Sequence, residues 1–139
     1  MKETLDQRIS VCAAVIERDG RYLMTGRPEG KPHAGMWEFP GGKNLLAEND
    51  NDCIVREIKE ELALDVTADG LIYEVCHDYP GKSVHLKFYK VRMNDGAQEL
   101  IPLDGQQIAW FNPAEMENIN ILPADIEFIK FLSSEAISC

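Results

Sequence analysis

Residues 50–62 place Ile54, Ile58 and Leu62 at i, i+4 and i+8, with Val55 beside them. That spacing is an apolar stripe on a helix of about 3.6 residues per turn. The same stretch carries Glu57, Glu60 and Glu61 at i, i+3 and i+4. On a helix these carboxylates converge on one surface, opposite the stripe. Three acids this close repel one another and cost a few tenths of a kcal/mol per pair (about 0.2–0.5) unless something positive offsets them. The segment therefore demands an apolar layer on one side and a solvated or cation-bearing surface on the other. A solvated acidic face and a cation site satisfy the helix spacing equally well.

The flanking sequence supplies the apolar layer. Ile9–Arg18 is rich in Val, Ile and Ala, then Asp19-Gly20 precedes Arg21–Met24, the pattern of a β-hairpin. Pro28, Gly30, Pro32 and Gly35 make 26–35 a loop. Trp37–Phe39 is a short strand, ended by Pro40-Gly41-Gly42, which reads as a tight turn. The chain is extended again through Ile72–Cys76. A turn at Pro80-Gly81 precedes the alternating strand Val84, Leu86, Phe88, and Ile108–Phe111 is a further strand. Asn112, Pro113 and Glu115 occupy N-cap, N1 and N3 of a short helix. Another helix starts at Pro123, with Ile126, Ile129 and Leu132 or Ser133 as its inward stripe. The expected fold is α+β, an α/β/α sandwich of a mixed β-sheet between helices. At 139 residues one domain, 1–139, is expected.

Charge narrows the ligand. The net charge of −10 repels nucleic-acid polymers and anionic lipid. A small phosphorylated ligand stays possible, because a divalent cation can bridge carboxylate to phosphate. Cys12, Cys53, Cys76 and Cys139 are far apart and form no Cys-x-x-Cys, so zinc is not expected. His33, His77 and His85 match no ligand pattern, and Trp110 reads as core. No apolar run approaches the ~18–20 residues of a membrane span. The first residues lack the apolar core of a signal peptide. A cytoplasmic protein is expected.

The acids extend into a longer pattern. Gly42-x5-Glu48-x7-Arg56-Glu57-Ile58-x-Glu60-Glu61-x-Ala63-Leu64 resembles the Nudix box, G-x5-E-x7-R-E-U-x-E-E-x-G-U, where U is a bulky apolar residue. Ala63 alone departs, standing where the family has Gly. If it keeps the left-handed conformation of that Gly, it costs about 1 kcal/mol. Outside the box, Arg27-Pro28, Gly35–Lys43, Tyr79-Pro80, Trp110 and Leu122–Asp125 resemble the MutT-like branch.

The resemblance implies a Nudix hydrolase that uses Mg²⁺, with Mn²⁺ as a substitute, to split nucleoside triphosphates into monophosphate and pyrophosphate. Oxidised purine or cytidine-type nucleotides are the implied substrates. Alternatives are an ADP-ribose or dinucleotide pyrophosphatase and a non-catalytic nucleotide-binding module. The implied metal ligands are Glu57, Glu60, Glu61 and the Gly41 carbonyl, with Asp104 as a further candidate. Glu48 and Arg56 support the catalytic cluster, and Arg56 could pair with Glu60 or with Glu48. Either Glu57 or Asp104 serves as base. Asp104 stands where Glu is familiar and is one methylene shorter. Implied substrate contacts are Arg27, Glu38, Phe39, Pro40, Gly41, Gly42 and Asp125, the last at a position that reads the base edge; Phe39 equally fits plain core. A monomer or homodimer is expected.

Overall fold

The computed structural model describes residues 8–45 and 48–137, with backbone only for 135–137. Cys139 and the first seven residues lie outside the described residues. The elements are β1 (Ile9–Arg18), β2 (Arg21–Gly26), β3 (Trp37–Glu38), β4 (Gly41–Lys43), α1 (Asp50–Leu62), β5 (Val66–Tyr79), β6 (Lys82–Met93), β7 (Gln107–Phe111), α2 (Pro113–Met116) and α3 (Pro123–Ile137).

The sheet is mixed, as expected. Its order is β3-β2-β1-β6-β5, with β4 also on β1 and β7 on β2. β1 and β6 run parallel from Ile9↔Val84 to Ile16↔Val91. The other strand pairs are antiparallel. A strand buried on both faces reads as a continuous apolar run, and β1 shows it. Cys12, Ala14 and Ile16 pack with Ile54, Ile58 and Leu62 of α1. Ala13 and Val15 point the other way, into a layer with Phe88, Phe128 and Ile129. Helices thus cover both faces, α1 on one and α2 with α3 on the other.

Several expectations need correcting. The inward residues of α3 are Ala124, Asp125, Phe128 and Ile129, while Ile126 is 40% exposed. Phe128 stacks on Phe88 at 4.2 Å between ring centroids, and this large aromatic contact sets the rotation of the helix. Val55 also faces outward. β5 is far longer than Ile72–Cys76, because it pairs with β6 over its whole length and absorbs irregularities near Gly70 and Ile72. Pro40-Gly41-Gly42 is not a tight turn: Gly41–Lys43 pairs antiparallel with Val11–Ala13.

Candidate active site

α1 is set at both ends. Asn49 caps its start by accepting from Asp52 N–H at 2.8 Å. Asp50 lies in its first turn and pairs with Lys87 Nζ at 2.7 Å and the Tyr89 hydroxyl at 2.5 Å. At the far end Ala63 takes the left-handed conformation, φ 61° and ψ 27°, and its N–H reaches Lys59 O. The strained cap expected from the box is present.

The box acids converge only partly. Glu57 packs beneath Gly42 so closely that a Cβ there would overlap its carboxylate. A Cβ on Gly41 would overlap the Cys12 carbonyl. These two glycines let the β4 backbone, β1 and the acidic helix approach one another. Glu61 accepts a hydrogen bond from the Gly41 N–H. Glu60 turns to solvent, its side chain 59% exposed.

Arg56 ties the acids together. It meets Glu48 at 2.5 Å, Glu57 at 2.9 Å and Glu60 at 3.3 Å. Both expected partners, Glu60 and Glu48, are therefore engaged. Glu48 above all holds the Arg56 proton well beyond the usual guanidinium range. The arginine offsets the repulsion within the cluster, and with the acids drawn to it no three His, Cys, Asp or Glu side chains among the described residues are grouped so as to hold an ion as they stand.

Glu61 lies apart from that guanidinium. Burial pushes its carboxyl up to about 8, and the charges of Glu57, Glu38 and Asp104 add to this against the Gly41 N–H. Glu61, Glu38 and Arg27 line a cavity of about 250 Å³ with Gly41, Gly42 and Asp125. They also line a neighbouring one of about 340 Å³ that Asp104 and Gln106 share. The donor set, carboxylates and backbone carbonyls, is oxygen throughout, which suits a hard divalent cation. A half-buried carboxyl crowded by like charges gains from such an ion. The residues fit the metal.

The substrate-side residues divide. Arg27 grips Glu38 with two bonds, 2.9 and 3.2 Å, and donates to Pro32 O at 3.3 Å. Phe39 is both core and wall. Its ring meets Phe88 and Phe128 edge-on at 5.8 and 5.3 Å, and it borders the cavity of about 250 Å³ beside Asp125. Asp125 is 2% exposed and accepts from Phe39 N–H at 2.9 Å. Burial, then the Glu38 charge, pushes its carboxyl well above the usual range against the Phe39 N–H and Arg27. Pro40 is the exception: it is fully buried, its carbonyl accepts from Ala14 N–H at 2.7 Å, and it is not part of the cavity wall.

Three further residues at these cavities were not among the expected site residues, although Tyr79 belongs to the Tyr79-Pro80 resemblance and His33 matched no ligand pattern. Tyr79 lines the cavity, and its hydroxyl accepts from Ala124 N–H at 3.0 Å. His33 lines it too, with its ring 5.3 Å from that of Tyr79. Gln106 is buried beside Glu61 and Asp104. Only the loop's return from Gly105, which takes φ 75°, carries a trace of Gln106 in the sequence.

Known proteins resemble this chain in sequence and fold. The profile of the NUDIX domain matches residues 11–130. The CTP pyrophosphohydrolase of Escherichia coli (strain K12) is 34% identical over 122 residues, 88% of this chain and 89% of that one. The 8-oxo-dGTP diphosphatase of Haemophilus influenzae is 31% identical over 129 residues, 91% and 93% of the two chains. The solution structure of the E. coli ORF135 protein superposes with a TM-score of 0.79 at 32% identity, covering 95% of this chain and 94% of that one.

Proposed function

Since the chain belongs to the NUDIX-domain family, and is a hydrolase of phosphoric anhydride bonds, we propose that it cleaves nucleoside triphosphates to monophosphate and pyrophosphate with Mg²⁺. One observation carries this reading. Glu57 packs against Gly42 and Glu61 against Gly41, and Glu61 lines a cavity together with Gly41, Gly42, Asp125 and Phe39. Acid, backbone and base-sized pocket thus share one place.

Glu57, Glu61, the Gly41 carbonyl and Asp104 would hold the metal, with Glu60 joining them only by turning its solvent-facing side chain from Arg56. A metal held there would neutralise phosphate oxygens and lower the pKa of a bound water. The chain's own groups do the rest. Arg56 fixes Glu48 and Glu57 through short ion pairs. Glu57 takes the proton of the attacking water as oxygen bonds to phosphorus and the pyrophosphate oxygen leaves. Arg27, already poised over the cavity on Glu38, turns to the triphosphate. Catalysis of this type is positioning and electrostatics more than covalent chemistry.

Asp125 and Phe39 form the base end. The names of the two relatives support a cytosine or oxidised-guanine triphosphate as the ligand there. A buried carboxyl favoured in its neutral form both donates and accepts, so it suits base edges that offer mixed groups. The net charge of −10 favours a free nucleotide, brought in with its cation, over a polymer.

The test is a panel of (d)NTPs, oxidised nucleotides and ADP-ribose with Mg²⁺. Pyrophosphate release from triphosphates is expected, fastest from cytidine-type or oxidised-guanine members. Orthophosphate in its place, or cleavage of ADP-ribose alone, sinks the proposal.

A further inference from the structure

The last carbonyls of a helix have no partner within it. At α1 the loop from Leu100 to Gln106 supplies them. Ile101 N–H donates to Leu62 O and Leu103 N–H to Glu61 O, each at 3.0 Å. Gln106 then joins this loop to itself and to the helix. Its Nε2 donates to Glu61 O at 3.3 Å, and its Oε1 accepts from Asp104 N–H at 2.9 Å. One amide spans the main chains of two acids that share a cavity. Gln106 is also one of only three buried polar or charged side chains among the described residues, with Thr25 and Asp125.

The loop does not need this amide merely to close the helix. Glu61 O already accepts from Leu103, and the Gln106 bond to it is the longer one. What Gln106 adds is a fixed position for Asp104, an exposed residue on a turn at Gly105. An aspartate reaches one methylene less than a glutamate, so its backbone must be held closer for its carboxylate to serve the same ion.

We propose that Gln106 is a positioning residue for the cation site, its amide holding the Asp104 main chain against the Glu61 end of α1 so that the short Asp104 side chain can act as a ligand. This rests on the reading above that these acids hold a divalent cation. Groups that orient metal ligands are commonly worth 10–100-fold in affinity.

Mn²⁺ alone is titrated into the full chain, and the free ion is followed by its EPR signal. Wild type is compared with Gln106→Leu, Asp104→Asn, both together, and Gln106→Leu with Asp104→Glu. Each single change should weaken Mn²⁺ binding by about tenfold. The pair should be no weaker than Asp104→Asn alone. Asp104→Glu should restore affinity in the Gln106→Leu background, because the added methylene replaces lost reach. Melting curves in chelator check folding; should Gln106→Leu not fold, Gln106→Asn, too short to span both main chains, takes its place. Affinity within twofold of wild type, losses that multiply in the pair, no rescue by Asp104→Glu, or no Mn²⁺ binding by wild type overturns the inference. Pyrophosphate release by the wild type is measured separately. Its failure, with the Mn²⁺ pattern intact, overturns the substrate reading and leaves this one standing.

Discussion

Asp125 and Phe39 lie 86 residues apart and are joined by one buried hydrogen bond, from the Phe39 N–H to Asp125 Oδ2 at 2.9 Å. It pins the start of α3 to the segment between β3 and β4. Asp125→Ala should leave that N–H buried and unpaired and cost about 1–3 kcal/mol in urea unfolding. Asp125→Asn keeps an acceptor for Phe39 but makes the other position a donor only, where a neutral carboxyl both donates and accepts. It should fold normally and change the ratio of kcat/KM between cytidine-type and oxidised-guanine triphosphates by roughly tenfold or more. An unchanged ratio removes Asp125 from base recognition.

Gly42 and Glu57 predict a second outcome. Gly42→Ala forces the Glu57 carboxylate away, since the new Cβ would occupy its place. Turnover should fall about as far as in Glu57→Gln, roughly 10²–10⁴-fold if Glu57 accepts the water proton. Circular dichroism should stay close to wild type for Glu57→Gln. Steady-state pyrophosphate release measures both, and full activity in Glu57→Gln takes that residue out of the reaction.

Ala63 holds φ 61°, a conformation that an L residue adopts at a cost. Ala63→Gly should raise stability by up to about 1 kcal/mol, partly offset by the greater freedom of glycine in the unfolded chain. Urea midpoints measure this. Turnover should stay within twofold, because the αL cap touches none of the proposed chemistry.

Glu61 gives a pH dependence. Its folded carboxyl titrates at about 8 against an ordinary value of 4.5. Between those values the native state binds more protons than the unfolded one, so stability falls as pH rises through the window. Without metal, the melting temperature should therefore fall between about pH 5 and 8. Glu61→Gln should flatten that decline, and Mg²⁺ should reduce it by favouring the ionised form. A melting temperature that rises across this range contradicts the assignment.

Asp50 works in the opposite sense. Burial pushes its carboxyl up, but bonds from Lys87, Tyr89, Cys12 and Asn44 prevail and hold it at about 2, below the ordinary 3.8. Its contribution is complete above about pH 4 and fades as pH falls through 2. Its side chain and that of Lys87 are under 20% exposed. Asp50→Asn should cost about 2–3 kcal/mol at pH 7, less than the 3–5 of a fully buried pair. The difference from wild type should shrink toward pH 2 in acid-unfolding curves.

The sequence by itself determined α1, its inward stripe of Ile54, Ile58 and Leu62, the hairpin at Asp19-Gly20, and two of the three acids that pair with Arg56, Glu48 and Glu60. These depend on spacing along a single element or on neighbours a few residues away, and local periodicity encodes both. Only the tertiary structure decided that Pro40-Gly41-Gly42 runs into a strand against β1, that Phe128 rather than Ile126 faces inward, and that Glu60 turns away while Glu61 is drawn to Gly41. Contacts across 86 residues, as between Phe39 and Asp125, or across 45, as between Glu61 and Gln106, leave no period in the chain. They form because burial leaves each polar group to find a partner among whatever the packed layers bring within reach.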